Sequence, residues 1–353
     1  MKKRAIIFPA EWAEQDAIQL TWPHEESDWL YILEEVIGCF ARLAYAIVRF
    51  QPLLIVCRDA ETVRLQLDGI DWEMVTLVEL PSNDTWARDH AGISVFRDGK
   101  PVLCDFTFNG WGLKFTANHD NTITRSLYET GVFSKKTEYQ NCLDFVLEGG
   151  SLESDGNGTL LTTSQCLLSD NRNDRLTKNE IENRLSERLG ISRFLWLRHG
   201  YLRGDDTDSH IDTLARFCDA ETIAYVRCED ESDEHYNELK MMEGELERFR
   251  TAEGMPYRLL PLPMADTIEE EGERLPATYA NFLILNGAVL VPTYNSPTDN
   301  VALKQIQKAF PSREVIGINC RSLIKQHGSL HCVTMQYPKG FIETKNLSKC
   351  SIK

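Results

Sequence analysis

The stretch Ile93-Ser-Val-Phe-Arg-Asp-Gly-Lys-Pro-Val-Leu103 reads as an apolar strand, a tight polar turn and a second apolar strand, the local signature of a β-hairpin. Three later stretches repeat that plan: 151–161, turning at Asp155-Gly-Asn-Gly158; 214–226, turning near Asp219; and Phe282-Leu-Ile-Leu-Asn-Gly-Ala-Val-Leu-Val291. Their starts recur at roughly 60-residue intervals, a repeat of supersecondary size. Pro52-Leu-Leu-Ile-Val-Cys57 and Leu330-His-Cys-Val-Thr-Met-Gln336 would supply a fifth unit by bringing the two ends of the chain together. Helix-like stretches at 29–50, 179–189, 235–249 and 300–310 lie between the strands. A repeat of strands plus one helix, closed on itself, predicts a single α/β domain over 1–340, with 341–353 as a C-terminal tail. Such a ring would hide most sheet edges and gather one end of every unit at a common centre.

With 353 residues, 42% hydrophobic and 26% charged, the chain reads as a soluble globular protein able to bury a substantial core. A formal net charge of −16 argues against nucleic acid or an anionic membrane as partner and is compatible with a small cationic substrate. The start, Met1-Lys-Lys-Arg-Ala-Ile-Ile-Phe-Pro-Ala-Glu11, has the basic end of a signal peptide, but Pro9 and Glu11 interrupt its apolar region. No run approaches the ~20 apolar residues of a membrane helix, so a cytoplasmic location is expected. Ten cysteines without Cys-x-x-Cys spacing predict buried thiols in a reducing compartment rather than a disulfide framework. Oligomeric state is not legible in the sequence, a homodimer being one option.

The polar residues ahead of the hairpins then acquire meaning. Trp86-Ala-Arg-Asp89 precedes the first, Glu148-Gly-Gly150 the second, His210-Ile-Asp212 the third and Asn281 the fourth, while His331-Cys332 falls in the expected last strand. In a ring these groups would converge on one acidic, thiol-bearing pocket. Within Tyr201-Leu-Arg-Gly-Asp-Asp-Thr-Asp-Ser-His-Ile-Asp212, a strand would aim His210 and Asp212 at one face, and Asp205, Asp206 and Asp208 read as turn and capping residues. By the same alternation His331 would point away from Cys332.

Carboxylates with no basic partner in their own motifs repel one another unless a cation joins them. A guanidinium suits, because its planar fork pairs with a carboxylate on each side; Asp89 and Asp212 are the expected clamp. Its carbon is a poor electrophile, so hydrolysis calls for a strong nucleophile and a covalent intermediate, which Cys332 would supply. His210 would protonate the departing ammonia and then activate water. A metal-dependent hydrolase using His210, Asp212 and the His327-x-x-x-His331 pair is a second reading. That spacing suits a helix, whereas Gly328 and the strand-like run after it do not. A non-catalytic guanidino-compound binder would leave Cys332 idle.

These residues resemble those of the agmatine deiminase and bacterial peptidylarginine deiminase family, within the guanidine-modifying superfamily. The match runs through Glu11-Trp12, Trp22-Pro-His24, Asn83-Asp-Thr-Trp-Ala-Arg-Asp89, Asn109-Gly-Trp-Gly112, Leu147-Glu-Gly-Gly150, residues 204–212, Tyr279-Ala-Asn281, Pro292-Thr-Tyr-Asn295 and His327-Gly-Ser-Leu-His-Cys332. The resemblance implies a five-bladed α/β propeller (pentein fold) with pseudo-fivefold symmetry and no metal or organic cofactor. It implies Cys332 as nucleophile, His210 as acid and base, Asp89 and Asp212 on the guanidinium, and Glu148, Trp86, Trp111 and Asn281 lining the substrate path. The reaction it implies is deimination of agmatine through a Cys thiouronium, giving N-carbamoylputrescine and ammonia on the way to putrescine. Free arginine or peptidyl-arginine are the alternative substrates, with Arg88 and Arg203 as possible partners for a carboxylate. The chain departs from the usual pattern at Gly328-Ser-Leu330 and at Ser209.

Overall fold

Turn chemistry fixes the first hairpin. Asp98 and Gly99 both take positive φ, 50° and 80°, the two-residue turn whose twist matches that of its flanking strands. Ile93–Arg97 therefore pairs antiparallel with Lys100–Thr107, which pairs parallel with Glu138–Val146. The computed structural model describes residues 6–343 and the backbone of Ser351–Ile352. They divide into two compact units, one built from Ile6, 13–149 and the described residues after His331, the other from Ile7–Trp12 and Gly150–His331. Residues 344–350 and 353 of the expected tail lie outside the described residues.

The first unit holds a second sheet in which Thr334–Pro338 runs antiparallel to Gln15–Thr21, followed in parallel by Leu53–Cys57, Val75–Glu79 and Ser351–Ile352. The runs 52–57 and 330–336 thus contribute to one sheet as expected, with Gln15–Thr21 between them. The expected helix at 29–50 starts as a 3-10 turn, Asp28–Ile32, and continues as Leu33–Val48. It buries Val36, Phe40, Leu43 and Ile47 at three- and four-residue spacing, the stripe a core-facing helix needs. Leu54, Val56, Val78, Leu103, Leu127, Phe133 and Tyr337 share one core cluster, and Phe133 meets Tyr337 edge-to-face at 5.1 Å.

The second unit repeats one plan three times: an antiparallel hairpin, a helix, then a strand parallel to the hairpin's second strand. Glu153–Ser154, Thr159–Thr163 and Arg193–Leu197 form one sheet, and Ala215–Phe217, Thr222–Arg227 and Arg258–Pro263 another. Leu283–Ile284, Ala288–Thr293 and Glu314–Asn319 form the third. The intervening helices are Lys178–Leu189, Tyr236–Leu246 and Asp299–Ala309. The first starts on a capping box, Thr177 with Glu180, ends on left-handed Gly190, and buries Ile181, Leu185 and Leu189. That cap is worth about 1 kcal/mol, and each buried aliphatic side chain roughly 1.5–3 kcal/mol. The fold is therefore α/β with mixed sheets. Among the described residues no helix is long and apolar enough to cross a membrane. All nine described cysteines are buried, and burial pushes the Cys57 and Cys218 thiols up to about 12.

Candidate active site

Five of the eight expected site residues, Trp86, Asp89, Trp111, Glu148 and Cys332, fall in the first unit, and all five are buried. Asp89 sits on a single helical turn, Ala87–His90. The loop ahead of it is pinned by Trp29, whose indole donates to Asp84 Oδ1 and Thr85 Oγ1 at 3.0 Å each and packs 5.5 Å from Trp86. Cys332 is joined to the turn through the backbone, its carbonyl accepting from Arg88 N at 3.0 Å. Trp111 reaches Asp89 directly, Nε1 donating to Oδ2 at 2.9 Å. Its approach depends on a rare backbone, because Gly110, Trp111, Gly112 and Leu113 all take positive φ, between 55° and 87°. A left-handed turn costs roughly 1–2 kcal/mol for each non-glycine residue in it. Asn109 supports it by accepting Gly112 N at 2.9 Å.

Glu148 is fully buried, and Gly149 brings its chain against the same turn. A Cβ on Gly149 would lie 2.1 Å from the Arg88 carbonyl oxygen, a backbone atom that cannot swing aside. Gly149→Ala is therefore expected to lower stability by about 1–3 kcal/mol or more and to reduce turnover with it. Thermal unfolding together with steady-state kinetics checks this.

His210, Asp212 and Asn281 fall in the second unit and are buried. Residues 201–212 do not form the expected strand: His210 caps a short 3-10 turn, Ile211–Thr213. The alternation argument that paired His210 with Asp212 therefore does not apply. Strand geometry loses here because Asp208 and Ser209 both lie at positive φ, 65° and 62°, which no ladder accommodates. Side chains hold this bend. Arg172 donates to Asp208 Oδ2 at 2.6 Å and to the Thr207 carbonyl at 2.9 Å. Asp205 acts as a turn residue, taking Thr207 Oγ1 at 2.6 Å and Ser209 N at 2.7 Å. Thr163 Oγ1 donates to the Ser209 carbonyl at 2.8 Å, and the Cys166 thiol lies within 4.8 Å of a His210 ring nitrogen.

Sequence reasoning missed the charged network around Asp212. His331 Nδ1 meets Asp212 Oδ2 at 2.7 Å, and Nε2 meets Glu11 Oε2 at 2.7 Å. Arg216 donates to Glu11 Oε2 at 2.9 Å, to Glu153 Oε2 at 2.7 Å and to the Phe282 carbonyl at 2.6 Å. Asp212 thus has basic neighbours, contrary to the expectation drawn from its own motif. Burial raises its pKa, but the His331 hydrogen bond and the charges of His331, His210 and Arg216 outweigh that, holding the carboxyl below its ordinary value. For Glu153 burial prevails over Arg216 and the pKa is raised. The available signal was a single charge inside an apolar run, Arg216 in Leu214-Ala-Arg-Phe-Cys218; Glu153, between Leu152 and Ser154, carried none.

His331-Cys332 is not in a strand either, since that strand begins at Thr334. Nor do His327 and His331 share a helix face. Residues 323–326 form a 3-10 turn that ends on His327 at φ 67°, and both His331 nitrogens lie on carboxylates. Of the two arginines considered for a substrate carboxylate, Arg88 is buried and donates to Gln336 Oε1 at 2.7 Å, whereas Arg203 is exposed.

Known proteins resemble the chain over nearly its whole length. Residues 7–338 match the model of the Porphyromonas-type peptidyl-arginine deiminase family. A Stutzerimonas stutzeri agmatine deiminase is 32% identical over 97% of this chain and 98% of its own. A Porphyromonas gingivalis crystal structure, provisionally assigned as an arginine deiminase, superposes with a TM-score of 0.93 at 59% identity, covering 96% of this chain and all of that one. A C. jejuni agmatine deiminase carrying a cysteine-to-serine substitution, solved with substrate bound, superposes with a TM-score of 0.89 at 39% identity, covering 96% and 98%.

Proposed function

This chain belongs to the Porphyromonas-type peptidyl-arginine deiminase family, and from that premise we propose that it hydrolyses the guanidinium of agmatine to N-carbamoylputrescine and ammonia. One observation carries the reading furthest. Asp212 is fully buried; His331 holds its Oδ2, while Oδ1 has no hydrogen-bond partner among the described residues. A buried carboxylate oxygen without a donor is costly, and the planar N–H edge of a guanidinium supplies one.

In this reading Asp89 and Asp212 pair with the guanidinium, Cys332 gives its thiol proton to His210 and attacks the guanidinium carbon, and His210 passes that proton to the departing ammonia. His210 then takes a proton from the water that hydrolyses the thiouronium, freeing the thiol and the urea-type product. Glu148, Trp86, Trp111 and Asn281 line the substrate path, the indoles offering apolar walls to the alkyl chain. The same reading makes the four hairpin-and-strand sheets and the sheet around Gln15–Thr21 the blades of a five-bladed propeller and locates the enzyme in the cytosol. Agmatine is preferred over arginine because relatives named agmatine deiminase match nearly the whole chain and Arg203 faces solvent, away from any buried carboxylate. Likeness to the P. gingivalis protein makes free arginine the competing substrate.

The deciding assay is ammonia release from agmatine, free arginine and an arginine-containing peptide, each incubated with pure protein. Agmatine is expected to lead in kcat/KM by about tenfold or more, ~1.4 kcal/mol of discrimination. A lead by arginine or the peptide overturns the substrate choice, and silence with all three overturns the function.

A further inference from the structure

We infer that His331, the residue before the proposed nucleophile, is a positioning residue that fixes which oxygen of Asp212 is presented to the guanidinium; the inference rests on the deiminase reading. Its ring is one link in a buried chain running Glu153, Arg216, Glu11, His331, Asp212. The far end of that chain is anchored to the backbone. Phe217 N donates to Glu153 Oε1 at 2.9 Å, and Ile284 N donates to Glu11 Oε1 at 2.8 Å. The near end is anchored through Asn281, whose Oδ1 accepts His331 N at 2.8 Å and whose Nδ2 donates to the Asp212 carbonyl at 3.3 Å.

Ionised carboxylates only accept hydrogen bonds. With Asp212 Oδ2 2.7 Å from Nδ1 and Glu11 Oε2 2.7 Å from Nε2, Nδ1 acts as the donor to Asp212, and the ring separates two acidic groups that would otherwise face each other. Holding Oδ2 also stops the Asp212 carboxylate from rotating. Oδ1, buried and without a partner among the described residues, then keeps the one direction in which a planar donor can meet it. Asp212 is presented this way because a ring behind it is braced by Glu11 and Arg216. The precision of guanidinium binding is accordingly set by charges two and three hydrogen bonds removed from Asp212.

The test uses the two amides that mimic one ring nitrogen each. In His331→Asn the amide nitrogen falls near the position of Nδ1, so the bond to Asp212 survives and that to Glu11 is lost. In His331→Gln it falls near Nε2, so the bond to Glu11 survives and that to Asp212 is lost. Measured with agmatine, His331→Gln is expected to raise KM about tenfold or more with a smaller change in kcat, and His331→Asn to raise it less than about threefold. The two variants are expected to lose melting temperature to a similar degree, so a merely structural role would move their KM values together. Equal KM changes in the two variants, or an unchanged KM in His331→Gln, overturn the inference while leaving the deiminase reading intact. Wild-type protein that turns over no guanidino compound defeats that reading and the inference with it. Should either variant fail to fold, nitrogen NMR of the wild-type ring decides: a protonated Nδ1 bonded to Asp212 is expected, and a bare Nδ1 overturns the inference.

Discussion

Cys332→Ala is expected to abolish ammonia release from agmatine, by on the order of 10⁴-fold or more in kcat, while the protein still folds and still binds the guanidinium. The reasoning is chemical. Guanidinium carbon is too electron-rich for unassisted water, and the other proposed groups only hold charge or move protons, so removing the sulfur removes the bond-forming step. Binding should change little, within about threefold in Kd by calorimetry, because the affinity is assigned to Asp89 and Asp212. The substitution also separates an enzyme from a binder: a protein that only senses guanidino compounds would lose nothing measurable. Turnover that persists in Cys332→Ala ends the covalent mechanism.

Arg216→Leu should produce the largest loss of stability. The guanidinium is fully buried, serves Glu11, Glu153 and the Phe282 carbonyl, and lies 4.8 Å from the Phe282 ring. Removing one partner of a buried ion network strands the others, a cost of about 3–5 kcal/mol. The pH dependence follows from linkage. Without Arg216 the buried carboxylates bind protons more tightly in the folded than in the unfolded protein, so stability falls as pH rises through their raised folded pKa values. The deficit relative to wild type should therefore be smaller near about pH 5 than near about pH 8. Denaturant unfolding at both pH values checks this. A deficit under about 1 kcal/mol, or one that grows on acidification, would mean that Arg216 is not what neutralises the cluster.

Local chemistry made the repeating framework legible. Asp98-Gly99 specifies a hairpin from two residues, Thr177 with Glu180 caps a helix three residues apart, and Ile181, Leu185 and Leu189 mark its buried face. Strand Gln15–Thr21 escaped notice because its buried face carries polar residues. Gln19 is fully buried and accepts from Tyr337 at 2.5 Å, and Gln15 accepts from Gln51 at 2.6 Å. Asp120–Thr130 escaped for a similar reason: few of its residues are apolar, and Asp120 itself is buried, accepting Asn83 N at 2.7 Å.

The hairpins, the helices between them, and the candidate sulfur, imidazole and carboxylates that precede or follow them could be picked out from the chain alone. All of these rest on turn residues, periodicity and motif order that act within a few positions. It took the folded chain to reveal that Trp111 reaches Asp89 from a left-handed turn, and that His331 spends both ring nitrogens on acids. The fold alone decided that Arg216 meets Glu11 from 205 positions away. The physical reason is that a buried charge is tolerable only with its partner in place, and which partner that is depends on which strands lie side by side, a non-local outcome that no window of sequence contains.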